Sequence, residues 1–225
     1  MPETTSKKMV WDKVGERLYE TGVEQVGLYP QVNGTYPAGV PWNGVTALNI
    51  TPEGAEPNPF YANNKKYLVI MSKEEVGVGI EAYTYPDEFR PCLGYSEAAK
   101  GIYVGQQAHK PFGLVGKNLI GNDTEGTSHG YKLHLLYGCL ASPSENSNAT
   151  VNESPEPKTM SWECNTTPVS VAGFDPASHI ELDSTTMDAE KLKALEAVLY
   201  GSEEAEPRLP LPDEVFTILG VTAAG

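Results

Sequence analysis

Apolar and polar residues alternate with a period of two along much of this chain, which is the spacing of a strand with one buried face. The clearest example places four apolar residues on one face of a strand: Val76, Val78, Ile80 and Ala82. The 22 glycines and 18 prolines of the chain supply turns between such segments and disfavour long helices. The pattern therefore predicts a mainly β protein with a β-sandwich or barrel-like core.

Two more segments alternate in the same way. Leu133, Leu135, Tyr137 and Cys139 are expected to form one apolar face, and Met160, Trp162 and Cys164 another. Shorter candidate strands cover the ranges 23–29, 44–50, 67–71, 101–107, 111–120, 169–171 and 180–183.

One helix is predicted over residues 187–200. Thr185 or Thr186 can cap its N-terminus, and Gly201 stands where a left-handed C-terminal residue would end it. Its apolar stripe consists of Leu192, Leu195, Val198 and Leu199. A stripe of this kind predicts that the helix flanks the sheet and packs on its edge or end.

The chain is expected to form a single domain, residues 1–225, with extended loops and terminal arms. We assign an N-terminal arm to residues 1–22, the β-sandwich core with its helix to 23–201, and a C-terminal arm to 202–225. Polar or proline-rich segments at 30–42, 52–66 and 142–158 are predicted to be long loops. The apolar C-terminal stretch is expected to dock as an arm on a neighbouring copy of the chain, because it would be a liability exposed in solution.

The formal net charge is −14, from Asp+Glu 30 against Lys+Arg 16. This balance argues against nucleic-acid binding through phosphate neutralisation, which needs a positive surface. No apolar run approaches the roughly 20 residues that span a bilayer, so no membrane insertion is expected. No secretory signal is visible, and synthesis in a reducing cytoplasm is predicted.

Motifs of enzyme chemistry are missing from the sequence. It lacks HExxH, GxSxG, a P-loop and a dinucleotide fingerprint, so no catalytic residue, cofactor or metal is assigned. Cys92, Cys139 and Cys164 do not have zinc-ligand spacing, and Cys139 and Cys164 are interpreted as small buried apolar residues.

Several strings occur in order along the chain: Trp11-Asp-Lys-Val-Gly-Glu-Arg17, Tyr83-Thr-Tyr-Pro-Asp-Glu-Phe89, Ile120-Gly-Asn-Asp-Thr-Glu-Gly126, Gly130-Tyr-Lys-Leu-His-Leu135, Ala141-Ser-Pro-Ser144 and Pro207-Arg-Leu-Pro-Leu-Pro-Asp-Glu214. Together they resemble the phi13-type phage major tail proteins, the tail tube proteins of long non-contractile-tailed phages of Gram-positive bacteria. The resemblance implies a β-sandwich subunit with a flanking helix that assembles into stacked hexameric rings. These rings form the hollow tail tube through which DNA reaches the host.

The resemblance also implies partners and a location. The partners would be other copies of the chain, a tape-measure protein, and tail initiator and terminator proteins, with DNA passing through without adhesion. The location would be the virion tail, after synthesis in the bacterial host cytoplasm. The residues assigned to self-association are Pro52, Phe60, Tyr61, Lys65, Leu209, Leu211, Val215 and Phe216, and Glu81 and Glu163 are assigned to the lumen.

The charge fits such a conduit, because six copies would carry 6 × −14 = −84 per ring. An acidic lining repels phosphates within the Debye length of about 8 Å. The acidity would equally keep a self-associating subunit soluble before assembly.

Other classes remain open on the sequence alone. A contractile-tail or secretion-system tube protein would share the fold. A carbohydrate-binding tail module would need an exposed aromatic platform. A hydrolase would use a pair of carboxylates, for which neighbouring acidic residues are a weak signal.

Overall fold

The computed structural model describes residues 8–148, 150 and 157–221. Strands account for most of the regular structure, which confirms the mainly β prediction. The strands are β1 (Tyr19–Pro30), β2 (Val40–Pro41), β3 (Val45–Gly54), β4 (Pro57–Ala62), β5 (Lys65–Met71), β6 (Glu74–Ala82), β7 (Ser96–Ala99), β8 (Ile102–Val104), β9 (Phe112–Asn122), β10 (Gly126–Ala141), β11 (Met160–Thr166) and β12 (His179–Asp183). The helices are α1 (Ala189–Tyr200), α2 (Pro212–Leu219) and a 3-10 helix over Asp87–Leu93.

Eight strands form one antiparallel sheet in the order β2-β1-β9-β10-β11-β6-β3, with β12 also paired to β10. Strand β10 is long enough to serve both halves of this sheet. Its middle pairs with β12, where Leu133 faces Leu182, and its end pairs with β11, where Ala141 faces Cys164. The sheet can therefore fold over on itself at β10.

The first apolar core lies between the two halves of the sheet. Leu48 of β3 packs so closely over Gly116 of β9 that a Cβ on this glycine would lie 2.3 Å from the Leu48 side chain. Aromatic rings fill the centre, where Trp42 and Phe89 have centroids 4.5 Å apart. The strand β6 residues Val78, Ile80 and Ala82 are fully buried here, as the alternation predicted. The arrangement is a sandwich made from one sheet.

The second apolar core lies on the other face of β1, β9, β10 and β12, beneath the two α-helices. Leu195 and Leu199 of α1 share this core with Leu133 and Leu135 of β10. The Tyr29 hydroxyl donates a 2.6 Å hydrogen bond to the Leu199 carbonyl and ties the helix to β1. The predicted flanking helix is thus confirmed, but the expected position at a sheet edge or end is wrong, because the helix covers a sheet face.

The ends of α1 differ from the prediction. Asp188 is the N-cap, and its carboxylate accepts from the backbone N–H groups of Glu190 and Lys191. The predicted caps Thr185 and Thr186 lie three and two residues before this position, in the turn after β12, where both hydroxyls donate to Asp183. Gly201 has φ 81° but ψ 174°, so it leads the chain away in an extended direction rather than in the left-handed conformation.

The prediction of a C-terminal arm over 202–225 is wrong for its described part. Residues 212–219 form α2, with Pro212 in the first turn and Gly220 at φ 64° ending the helix. Val215 and Leu219 are four residues apart, so they lie on one face of α2, and both share the second core with α1. The apolar stripe of α2 is therefore covered by the same chain. Residues 222–225 lie outside the described part.

The N-terminal arm is shorter than the predicted range 1–22. Strand β1 begins at Tyr19, which pairs with Gly121 of β9. The described residues before it run along the surface, held where the Gly15 N–H donates to Asp123 at 2.9 Å. Residues 1–7 lie outside the described part, as do 149 and 151–156 of the predicted 142–158 loop.

One predicted face is wrong in β10. Leu133, Leu135 and Tyr137 lie in the second core as expected, but Cys139 lies in the first core. The register shifts between Leu136 and Cys139, and Gly138 takes φ 61°, so an extra residue moves the end of the strand to the opposite face.

Candidate functional site

The segment 52–66, predicted as a loop, is part of a β-hairpin that projects from the sandwich. Strand β3 continues to Gly54, and β4 and β5 then pair with each other alone. Asn63 and Asn64 form the two-residue turn, with φ 51° and 59°, which is the geometry that suits the twist of a hairpin. The loop prediction is wrong because Asn63 and Asn64 form a tight turn that lets the residues on either side pair as strands.

This hairpin exposes apolar side chains on both of its faces. Five consecutive residues of β5 are exposed over 40–73% of their surface: Tyr67, Leu68, Val69, Ile70 and Met71. On β4, Phe60 is 50% and Tyr61 71% exposed. A continuous apolar run is typical of a strand that is covered on both faces, and within the described residues neither face of the hairpin is covered.

The hairpin is also positively charged, in contrast to the rest of the chain. Residues 57–73 contain Lys65, Lys66 and Lys73 and no Asp or Glu, which gives +3. The remainder of the chain therefore carries −14 − 3 = −17. These three lysines form no ion pair with the described residues. Each copy thus presents a cationic apolar projection and an anionic body.

A second surface is the outer face of β3, β6 and β11, which lies opposite the first core and away from the helices. Glu81 and Glu163 both belong to it, since Glu81 faces Ser161 and Glu163 faces Gly79 in the ladder. The two predicted lumen residues therefore share one face. That face also carries Glu53 of β3 and Glu75 of β6, which lie directly opposite each other in the strand ladder.

This acidic face contains no Lys or Arg, because β3, β6 and β11 have none in their sequences. Its carboxylates lie over glycines. A Cβ on Gly77 would be 2.7 Å from Glu53 Oε1, and one on Gly79 would be 3.5 Å from both oxygens of Glu163. The glycines allow the glutamates to lie against the sheet, so the negative charge is concentrated on a smooth surface.

The predicted self-association residues divide into two groups. Pro52, Phe60, Tyr61 and Lys65 are exposed on or beside the hairpin, where they can reach another copy. In the C-terminal segment, the prediction is wrong for Leu209 (2% exposed) and Val215 (0%), which lie in the second core of the same chain.

The remaining two predicted residues are accessible. Leu211 is 37% exposed. Phe216 is half-buried, and its ring lies 5.8 Å from the exposed ring of Phe174. Both stay candidates for contact with another copy.

Polar side chains form a network near the end of the first core. His134 Nδ1 lies 3.0 Å from His179 Nε2, and its Nε2 lies 2.6 Å from Asn118 Oδ1. Lys132 forms ion pairs with Glu20 at 2.7 Å and Glu181 at 3.1 Å. The network is closed by its own hydrogen bonds and ion pairs, so its geometry is that of a structural cluster.

The three thiols lie in the first apolar core and are buried. Burial raises the pKa of Cys92 and of Cys164 to about 12 and raises the pKa of Cys139 well above its usual range, so all three thiols stay protonated. No group of three or more His, Cys, Asp or Glu side chains with the arrangement of a metal site occurs among the described residues. The expected burial of Cys139 and Cys164 is confirmed.

Two of the three tryptophans cannot contribute to an aromatic platform for carbohydrate, because they are buried. Trp42 and Trp162 are 3% and 4% exposed and belong to the first core. Trp11 is 74% exposed but lies in the segment before β1. In the described part of the chain, no helix has the length and apolar character needed to cross a membrane.

Sequence reasoning found the acidic face but missed the apolar hairpin. The signal for it is the unbroken apolar run at residues 67–71, which predicts a strand with two apolar faces. The pairing of His134 with His179 gave no signal, because 45 residues separate them in sequence.

The chain matches no model of a known protein family, and the comparison with curated proteins gave no significant match.

Proposed function

We propose that this protein is the structural subunit of a phage tail tube, which self-assembles into stacked hexameric rings around a channel for DNA. The observation that carries the proposal is the exposed hairpin β4–β5. A two-stranded hairpin is at best marginally stable in water, and this one exposes apolar residues on both faces. Association with further copies would cover these residues.

The acidic face of β3, β6 and β11 supplies the channel lining in this proposal. The two α-helices lie on the far side of the sandwich, so they would face outward when the acidic face is turned inward. Glu81 and Glu163 from each copy would then surround the bore, and six copies would carry −84 in all. DNA would pass without adhesion because like charges repel at short range.

The proposal includes the partners and place that the sequence resemblance implies. The tube would form in the host cytoplasm together with a tape-measure protein and with tail initiator and terminator proteins, and would become part of the virion tail. A contractile-tail or secretion-system tube would use the same two surfaces. The resemblance of several strings in order to phi13-type tail proteins favours the non-contractile phage tail.

Negative-stain electron microscopy of the purified protein over a range of concentrations tests the proposal. Hollow tubes or rings with a central opening are expected, together with a concentration-dependent fast component in sedimentation. A matched variant replaces residues 56–72 with a short Asn-Gly turn and is expected to remain a folded monomer. Purified protein that stays monomeric at every concentration would contradict self-assembly, and solid globular particles would contradict the tube.

A further inference from the structure

Three prolines lie along one edge of the projecting hairpin and its base. Pro52 is in β3, and Pro57 and Pro59 are in β4. Proline has no backbone N–H, so inside a paired strand its nitrogen must point away from the partner strand. The outer edge of β3 and β4 therefore lacks main-chain donors at these three positions.

The ladder also fixes the direction of the N–H groups on β5. Pro59 lies directly opposite Val69, and Pro57 lies directly opposite Met71. In an antiparallel pair, directly opposite residues either exchange both hydrogen bonds or exchange none. The prolines require the second case, so the N–H groups of Val69 and Met71 point away from β4, toward the outer edge of β5.

That outer edge is open in the single chain. Strands β4 and β5 form a two-stranded sheet, and no other described strand pairs with β5. The edge lies beside the exposed apolar side chains of Val69, Ile70 and Met71. An open, apolar, proline-free edge is a template for adding a strand, whereas an edge with prolines is protected from it.

We propose that the outer edge of β5 forms main-chain hydrogen bonds with a second copy of this chain, while the edge of β4 is closed to pairing by its prolines. The inference rests on the proposed self-assembly and specifies which edge of the hairpin performs it. Such a contact is heterologous, because it joins the β5 edge of one copy to a different surface of the next copy. Heterologous contacts give rings or filaments, whereas a contact made by the same edge of both copies would end at a twofold dimer.

Charge identifies the occupant as a second copy. The hairpin carries +3 over residues 57–73 and the rest of the chain −17. The hairpin of one copy is therefore attracted to the body of another, and a hairpin facing a hairpin in a twofold dimer would be repelled.

Substitution at Val69 tests the inference. Val69→Pro removes one outward donor and leaves the ladder between β4 and β5 intact, since this N–H does not bond to β4. Val69→Ala controls for loss of the side chain. The double variant Pro59→Val/Val69→Pro keeps the wild-type composition and moves a proline to the other edge. Sedimentation and electron microscopy measure assembly, and circular dichroism measures the fold.

Wild-type protein and Val69→Ala are expected to assemble. Val69→Pro and the double variant are expected to raise the concentration needed for assembly at least about tenfold, which corresponds to about 1.4 kcal/mol. Equal assembly by Val69→Pro and wild type would overturn the edge assignment and leave self-assembly standing. Failure of the wild type itself would overturn self-assembly as well.

Hydrogen exchange of the unmodified protein keeps the test valid if Val69→Pro does not fold. Assembly is expected to slow exchange of the Val69 and Met71 amides by at least about tenfold. The amide of Tyr61 points outward on β4 and is expected to keep its monomer rate. Protection of Tyr61 without protection of Val69 and Met71 would overturn the inference.

Discussion

The imidazole rings of His134 and His179 stack with centroids 5.2 Å apart, and Nδ1 of His134 lies 3.0 Å from Nε2 of His179. His134 Nε2–H donates to Asn118 Oδ1, so its Nδ1 is left to accept from His179 Nε2–H while both rings are neutral. The pair links β10 to β12, the strand that leads into the helices. A proton on each ring would leave both facing nitrogens as donors and break this bond.

We predict that folding stability falls as pH falls through the histidine range. Burial lowers the pKa of His134 and of His179 below 6.5, so the unfolded chain binds protons that the folded chain resists. Stability is therefore full above about pH 7 and declines as the pH drops below 6.5. Thermal melts between pH 7.5 and about pH 5 measure this, and each 1 kcal/mol lost lowers Tm by about 2–4 °C in a chain of this size.

The charged groups around the pair must be kept constant in that experiment. Glu20 on β1, Lys132 on β10 and Glu181 on β12 lie in the same network, and Glu181 lies 3.8 Å from His134 Nδ1. His179→Gln keeps a donor for His134 and leaves these groups in place. This variant is expected to show a shallower loss of Tm on acidification. An unchanged slope would show that the histidine pair is not its cause.

Val215→Ala is predicted to destabilise the folded monomer by about 1–3 kcal/mol, because Val215 is fully buried on the face of α2 that packs into the second core. Urea denaturation measures the loss. Val221→Ala is the control, since Val221 lies after α2 and is 50% exposed, and its truncation is expected to change stability by less than about 0.5 kcal/mol. Equal effects of the two substitutions would contradict the packing of α2 on the same chain.

This C-terminal segment shows why some elements escaped prediction. Its apolar residues are few and follow a proline-rich stretch, a pattern that predicts an arm; they are Val215, Phe216, Ile218 and Leu219. The spacing of Val215 and Leu219 fits one helix face, but short apolar runs do not distinguish a buried helix from a docking strand. Only the three-dimensional position of α1 decides what covers them.

The long strands were predictable, and their irregularities were not. The alternation in β6 and β11 gave the buried faces correctly. In β10 the same rule failed at Cys139, because Gly138 introduces a bulge that sequence alternation cannot reveal. A Cβ on Gly138 would lie 2.3 Å from the Thr167 carbonyl oxygen, so close approach of another segment demands glycine there.

For the candidate site, the acidic face was predictable from the sequence and the hairpin β4–β5 was not. Glu81 and Glu163 occupy outward positions of alternating strands, so simple periodicity placed them together. The hairpin depends on a turn in which Asn63 and Asn64 both adopt positive φ, and the sequence alone does not fix that conformation. The exposure of residues 67–71 depends on tertiary structure as well, since no other described segment covers them.

The double substitution Phe60→Ser/Ile70→Ser is predicted to block assembly without unfolding the monomer. Both residues are at least half exposed, so the expected change in monomer stability is within about 0.5 kcal/mol. Their removal takes away apolar surface that association would bury. Size-exclusion chromatography and microscopy give the readout. Ile102→Ser, at a side chain 59% exposed on β8, is the control, and tubes of normal length from the double variant would contradict the hairpin's role.

The three cysteines are predicted to resist thiol reagents in the folded protein. All three are buried, and burial raises the pKa of each thiol, so the reactive thiolate is scarce at neutral pH. Titration with a chromogenic disulfide is expected to show negligible reaction in native buffer and three equivalents in guanidinium chloride. Fast reaction of any one thiol without unfolding would contradict this burial.

Reversing charge on the acidic face is predicted to make assembled tubes retain DNA. Glu81→Lys/Glu163→Lys places two cations per copy on a face without Lys or Arg, and phosphate contacts of this kind strengthen binding most at low salt. The control Glu203→Lys/Glu204→Lys changes the net charge equally on the exposed loop after α1, on the side of the helices. Co-sedimentation of tubes with short double-stranded DNA at low and high salt separates the two. Retention is expected for the first variant alone and should weaken as salt rises. Equal retention by both variants would show that total charge matters and that this face does not line the channel.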